Sequence, residues 1–371
     1  MKIAQISPLI ESVPPRLYGG TERIVSYLTE ELVRMGHEVT LFASGDSTTS
    51  ADLVSCAPMA LRLDPHVQQQ ECYSMVMLDR VRQLADEFDI LHFHIEYYQF
   101  PLFHNMARRT LTTLHGRQDV SELKTLYAAF PDMPLISISD CQRRPVASSN
   151  FAGTVLHGLP TDLLKPTLNP SGDYVAFLGR ISREKRVDRA IRIARAAGIP
   201  IKIAAKVDKS DEEYFERDVK PLLDQPGVEF IGEINERQKQ SFLGNARALL
   251  FPIDWPEPFG LVMIESMACG TPILAFRNGS VPEVIDDGLS GYIVDTEEEA
   301  ISVLQQTVQL DRRRVRRRFE ERFSSARMAA DYVSIYEKLL DEQVVPSHSY
   351  TNPSYRVNGM ARSRRQSQRI N

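Results

Sequence analysis

The sequence predicts an α/β protein made of two doubly wound parallel-sheet domains that face a cleft. Apolar, β-branched runs of strand length alternate with longer amphipathic stretches, the pattern of βα units around a parallel sheet. The alternation occurs twice, and a stretch dense in Pro and Gly between Gly158 and Gly172 (Pro160, Pro166, Pro170) separates the two occurrences. The length of 371 residues suits two domains of roughly 150 to 200 residues, each able to bury a core.

In the first half, residues 2–7, 37–44, 89–95, 110–114 and 135–139 read as strands. A helix is expected over 21–35, because Ile24, Leu28, Leu32 and Met35 share one face and Gly36 marks its end. In the second half the strands are expected at 174–178, 201–205, 228–231, 248–252, 272–276 and 291–294. These elements divide the chain into domains over 1–168 and 169–325, a helix over 326–341 that packs back on the first domain, and a tail over 342–371. The tail is rich in Ser, Asn and Arg with little to bury, so it is expected to be disordered. Open α/β sheets bind ligands at the carboxyl ends of their strands, which puts the expected site between the domains.

Composition narrows the function classes. The chain is 43% hydrophobic and 25% charged with a net charge of −5, ordinary for a globular protein. No apolar run approaches the roughly 18 residues of a membrane span, and the first residues lack a signal peptide's pattern, so a cytoplasmic protein is expected. Cys56, Cys72, Cys141 and Cys269 show no C-x-x-C spacing, which fits reduced thiols better than a zinc site. Mild acidity argues against nucleic acid as a partner. The tail holds five Arg and one Glu, a charge of +4, which leaves −9 on the body. The run DRRRVRRR at 311–318 reads as a solvated helix face, with an anionic membrane contact as the alternative.

The segment PIDWPEPFGLVMIESMACGTPILA, residues 252–275, carries the most chemistry. Pro256 and Pro258 hold the chain extended after a strand, and a helix is expected over 261–269, ending at Gly270. A helix start facing a cleft offers free N–H groups and partial positive charge, which suits a diphosphate. Glu257 precedes that start, and Glu265 lies roughly 7.5 Å along the axis beyond Gly260 at 1.5 Å per residue. Glu265 follows the apolar run Leu261 to Ile264 and, facing inward, would need a buried partner.

The spacing of Glu257 and Glu265 within E-P-F-G-L-V-M-I-E-S-M-A-C-G-T-P resembles the signature of the retaining glycosyltransferases of family four, which have the GT-B fold of two Rossmann-like domains. The similarity extends to Tyr18-Gly19-Gly20-Thr21-Glu22, to His157-Gly158-Leu159-Pro160, to the segment from Gly179-Arg180 to Lys185, and to G-S-V-P-E-V-I from Gly279 to Ile285. The resemblance implies that Glu257 binds donor-sugar hydroxyls and Glu265 the ribose. Arg180 and Lys185 would neutralise the diphosphate leaving group. Backbone at Phe259, Gly260 and Leu261 would meet phosphate or sugar, with Gly19 and Gly20 approaching from the other domain. Where many family members end the second strand of this domain in a glycine-rich turn, the sequence here reads Ile203-Ala204-Ala205-Lys206-Val207-Asp208, a departure in which Lys206 would add a phosphate or sugar contact. His115, at the carboxyl edge of a strand, would touch the donor sugar's 6-hydroxyl or the acceptor side. Base recognition is expected near residues 230–234.

His92 and His94 share one strand face, and with Glu96 they resemble a metal set without closing one; a core or acceptor-cleft role is the expectation. No G-x-G-x-x-G is present, which weakens a dehydrogenase reading. The implied activity is transfer of a hexosyl group from a UDP-, GDP- or ADP-sugar to an unidentified glycan, lipid or small-molecule acceptor, with retention, no metal and no cofactor. Rival readings are a sugar phosphorylase or nucleotide-sugar epimerase of the same fold, and a non-catalytic nucleotide-sugar-binding protein.

Overall fold

The computed structural model describes residues 1–16 and 19–341, so Tyr18 of the Gly-Gly segment and the tail at 342–371 lie outside the described residues. Two all-parallel sheets organise the chain. The first is formed by β1 (Lys2–Ile6), β2 (Glu38–Ser44), β3 (Asp52–Ala57), β4 (Ile90–Phe93), β5 (Thr110–Thr113), β6 (Leu135–Ser137) and β7 (Phe151–Thr154), in the order β3-β2-β1-β4-β5-β6-β7. The second is formed by β8 (Val175–Ile181), β9 (Ile201–Val207), β10 (Val228–Gly232), β11 (Leu249–Phe251), β12 (Ile273–Phe276) and β13 (Gly291–Val294), in the order β10-β9-β8-β11-β12-β13. Strand order reverses between β1 and β4 and between β8 and β11. Each reversal opens a crevice at the carboxyl ends of the strands.

All six strands expected in the second half are present, but the first sheet has seven strands where five were expected. The two additions, β3 and β7, are its edges. Edge strands bury one side at most, so DLVSCA and FAGT lack the continuous apolar run that marks β1 or β4. The helix expected over 21–35 runs Gly20–Arg34, burying Ile24, Leu28 and Leu32 against Ile3 and Val39.

That same core is completed from the far end of the chain. Met328, Tyr332 and Tyr336 of the helix Ser325–Asp341 are fully buried in it. The returning chain crosses the outgoing one at Gly158, where a Cβ would lie 2.3 Å from the Ser324 carbonyl oxygen. Leu159 N–H donates to the Phe323 carbonyl at 2.9 Å and Ser325 N–H to the Leu159 carbonyl at 2.8 Å.

The arginine run departs from the solvated-face reading. Within the helix Arg312–Arg322, Arg312 and Arg316 are only 8% and 9% exposed. Arg312 donates to the carbonyls of Thr167, Gly244 and Ala246 at 2.6, 2.8 and 2.9 Å. Arg316 donates to those of Thr161, Leu164 and Ala268 at 2.6, 2.7 and 2.6 Å. Several of these carbonyls close the helices Glu236–Asn245 and Leu261–Ala268, whose last acceptors have no partner within their own helix. The guanidinium groups fill that need.

Candidate functional site

A cavity of about 640 Å³ opens between the sheets at the carboxyl ends of their strands. It is lined from the second domain by Glu257, Glu265, Arg180, Lys185, Lys206 and the backbone turn Phe259-Gly260-Leu261. From the first domain it is lined by Gly19, Gly20 and His115. These eleven residues named from the sequence thus border one space, and of the segment 230–234 expected near the base, Glu233 and Ile234 border it.

The wall bearing Glu257 is set by its neighbours in the chain and by one distant segment. After β11 the chain stays extended through Pro256 and Pro258 and enters the helix Leu261–Ala268 through Gly260, whose φ is 80°. Gly279, at φ +57°, packs so tightly behind this loop that a Cβ would stand 2.2 Å from Glu257 N. Ser280 N–H donates to the Glu257 carbonyl at 2.9 Å, and Ser280 Oγ to the Phe259 carbonyl at 2.8 Å. The G-S-V-P-E-V-I segment therefore holds the loop from behind.

Both carboxylates are buried and each meets a lysine. Glu257, 8% exposed, pairs through Oε2 with Lys185 Nζ and accepts on the same oxygen from Trp255 Nε1 at 2.8 Å. The lysine is further held over the Trp255 and Phe251 rings, 5.4 and 5.6 Å from their centroids. Lys185 thus pairs with Glu257 in addition to lining the space assigned to the diphosphate. Glu265, 4% exposed, accepts at Oε1 from Lys239 Nζ at 2.5 Å. Lys239 also lies 3.2 Å from Glu236, which pairs with Arg23 of the first domain. Arg180 is ringed at 3.6 to 3.8 Å by Glu184, Asp211 and Asp208, and Lys206 sits 2.9 Å from Asp208. These cations are held in place by acids at the edge of the cavity.

Sequence reasoning missed Lys239, Arg23 and Trp255. Only Trp255 had a local signal, as the aromatic two residues before Glu257; the other two reach the site through tertiary packing alone. The helix start Gly20–Thr21 of the first domain faces the helix start at Leu261, since a Cβ on Gly20 would lie 3.5 Å from Leu261 Cδ1. Two helix starts, each offering first-turn N–H groups, therefore converge on the cavity.

His115 closes the first-domain side. Its N–H and that of Gly116 both donate to Glu96 Oε1 at 2.8 Å, so Glu96 serves the backbone of this turn. His92 is a core residue, with Nδ1 2.7 Å from Tyr336 Oη and Nε2 2.8 Å from Thr113 Oγ1. Among the described residues no group of three or more His, Cys, Asp or Glu is arranged to hold a metal ion. His157 stacks on His115 with centroids 5.4 Å apart and meets the edge of Phe259 at 4.9 Å. Burial keeps His92, His94 and His157 well below the ordinary histidine value and lowers His115 to about 3.

Twin parallel sheets with reversed strand order, facing a cleft in which two buried glutamates bracket a helix start, make up the GT-B fold of glycosyltransferases. Residues 18–160 match Glycosyltransferase Family 4 and residues 162–322 match Glycosyl transferases group 1. The chain belongs to this glycosyltransferase family. It is 24% identical to O-antigen chain mannosyltransferase C of Escherichia coli over 365 residues, 89% of this chain and 97% of that protein. An uncharacterized 41.2 kDa protein in the cps region of Klebsiella pneumoniae is 26% identical over 169 residues, 44% of this chain and 46% of that protein's length. Among solved structures, AviGT4, a glycosyltransferase involved in avilamycin A biosynthesis, shares the fold with a TM-score of 0.70 at 22% identity, over 92% of this chain and 98% of that one.

Proposed function

We propose that this glycosyltransferase moves a hexosyl group from a nucleoside diphosphate sugar to a hydroxyl of an acceptor, with retention of configuration and without a metal, in the cytoplasm. The observation that carries the reading is the helix start at Gly260-Leu261, which opens on the cavity between Glu257 and Glu265 and faces a second helix start at Gly20. Converging N–H groups suit a diphosphate. Lys185 and Trp255 both hold Glu257 by Oε2, leaving Oε1 to accept from a sugar hydroxyl. Lys239 leaves Oε2 of Glu265 to accept from the ribose.

In the proposed reaction the acceptor oxygen attacks the anomeric carbon on the face the diphosphate leaves, and the carbon–oxygen bond to phosphate breaks. The acceptor proton passes to a leaving phosphate oxygen, giving the glycoside and a nucleoside diphosphate. Arg180 and Lys185 offset the charge that develops on the leaving group, and closure of the cleft excludes competing water.

Thermal-shift measurements with UDP-, GDP- and ADP-sugars identify the donor, because a ligand at 100 times its Kd adds about 2.7 kcal/mol of stability. With that donor of defined anomeric configuration, NMR of the product is expected to show retention. An inverted product overturns the mechanism. Glu257→Ala and Arg180→Ala should lower kcat sharply, whereas Glu265→Ala should chiefly raise the donor KM.

A further inference from the structure

Behind His115 a line of side chains runs through the first sheet to the last helix. Gln5 of β1, fully buried, donates from Nε2 to Tyr336 Oη at 3.3 Å, so its Oε1 points the other way. That oxygen lies 2.8 Å from His94 Nε2. A carbonyl oxygen can only accept, so His94 carries its proton on Nε2. Neutral imidazole has one N–H, which makes His94 Nδ1 a lone-pair acceptor. His115 Nε2 lies 2.9 Å from that atom and must donate to it. By the same rule the remaining nitrogen of His115, Nδ1, bears a lone pair. Packing keeps the whole line neutral, and Glu96 fixes the backbone from which the ring projects.

We propose that Gln5 and His94 are positioning residues that lock His115 in its Nε2–H tautomer, presenting Nδ1 to the cleft as an acceptor that selects a hydroxyl of the bound sugar. A phosphate, carboxylate or carbonyl oxygen has no proton to give that atom; a hydroxyl does. The tautomer follows from the line of hydrogen bonds alone, whereas the identification of its ligand as a sugar rests on the proposed function.

The test is side-chain nitrogen NMR of the full chain labelled at histidine, at pH 7.5, with His115→Asn and His94→Asn to assign the signals. Both histidines are expected to carry the proton on Nε2. Gln5→Met removes the acceptor and should release both rings into mixed tautomers. An Nδ1–H His115 in the unmodified protein, or unchanged signals in Gln5→Met, overturns the proposal. In transfer assays Gln5→Met should lose roughly tenfold or more in kcat, the scale of losing an orienting partner behind a catalytic histidine. Fixed tautomers in a protein that transfers no sugar would overturn the proposed function and the sugar as ligand, and leave the tautomer lock standing.

Discussion

Protonation of the buried histidines ties stability to pH. The folded chain keeps His92, His94 and His157 neutral, each at most 3% exposed, while an unfolded chain takes up protons from about pH 6.5 downward. The unfolded state then binds more protons, so stability falls as pH drops below that value, by up to about 1.4 kcal/mol per unit for each histidine. For His115 the window runs from about 6.5 down to about 3. Burial raises Glu11, Glu22 and Glu96, which works in the opposite direction as pH approaches their folded values. The thermal midpoint is expected to be flat near pH 7.5 and to fall steeply between 6.5 and 5; calorimetry showing no fall would refute the neutral cluster. The residues of the site differ in how readable they were. Glu257, Glu265, Arg180 and Lys185 stand in local motifs and could be named from sequence, whereas Gln5 joins His94 and Tyr336 across 89 and 331 positions, a relation that spacing does not encode.

At the scale of elements, the loop carrying Glu257 depends on Gly279 more than on its own residues. An added methyl there meets Glu257 N at 2.2 Å and Glu257 O at 2.3 Å, so the loop must move. Gly288 provides the control: its φ is +74° and nothing lies within 4 Å of an added Cβ. Gly288→Ala should cost only the roughly 1–2 kcal/mol of a left-handed backbone and leave kinetics unchanged, whereas Gly279→Ala should reduce kcat/KM severely. Equal activity in the two variants would show that the loop is not held from behind. Helices and buried strands were legible because their apolar periodicity is local; the edges β3 and β7 were not, because half of each faces solvent. The arginine run did carry a signal. Arg312, Val315, Arg316 and Phe319 fall at i, i+3, i+4 and i+7, one helical face, and the two apolar members mark that face as inward.

Over the whole molecule, Glu283 makes two of the hydrogen bonds that join the domains. Its carboxylate accepts from the N–H groups of Asp140 and Cys141, each at 2.7 Å, while Ser139 Oγ donates to the Pro258 carbonyl at 2.6 Å. Glu283 thus joins the segment behind the Glu257 loop to the first domain. Hydrogen bonds to a charged group contribute about 1.5–3 kcal/mol, so Glu283→Ala should widen the cleft. Small-angle scattering should show a larger radius of gyration and kinetics a raised donor KM; identical values in both would exclude a clamp. The two-sheet plan was readable from the repeated alternation and the Pro- and Gly-dense segment, but the cross-cleft partners were not, since they come from opposite halves of the chain. The helix Ser325–Asp341 gives this plan a temporal order. During synthesis the first sheet leaves the ribosome well before the second, yet the pocket that receives Met328, Tyr332 and Tyr336 stays open until the second domain has been translated. The half made first is therefore finished last, and a nascent chain acquires the cleft between its domains only after both halves exist.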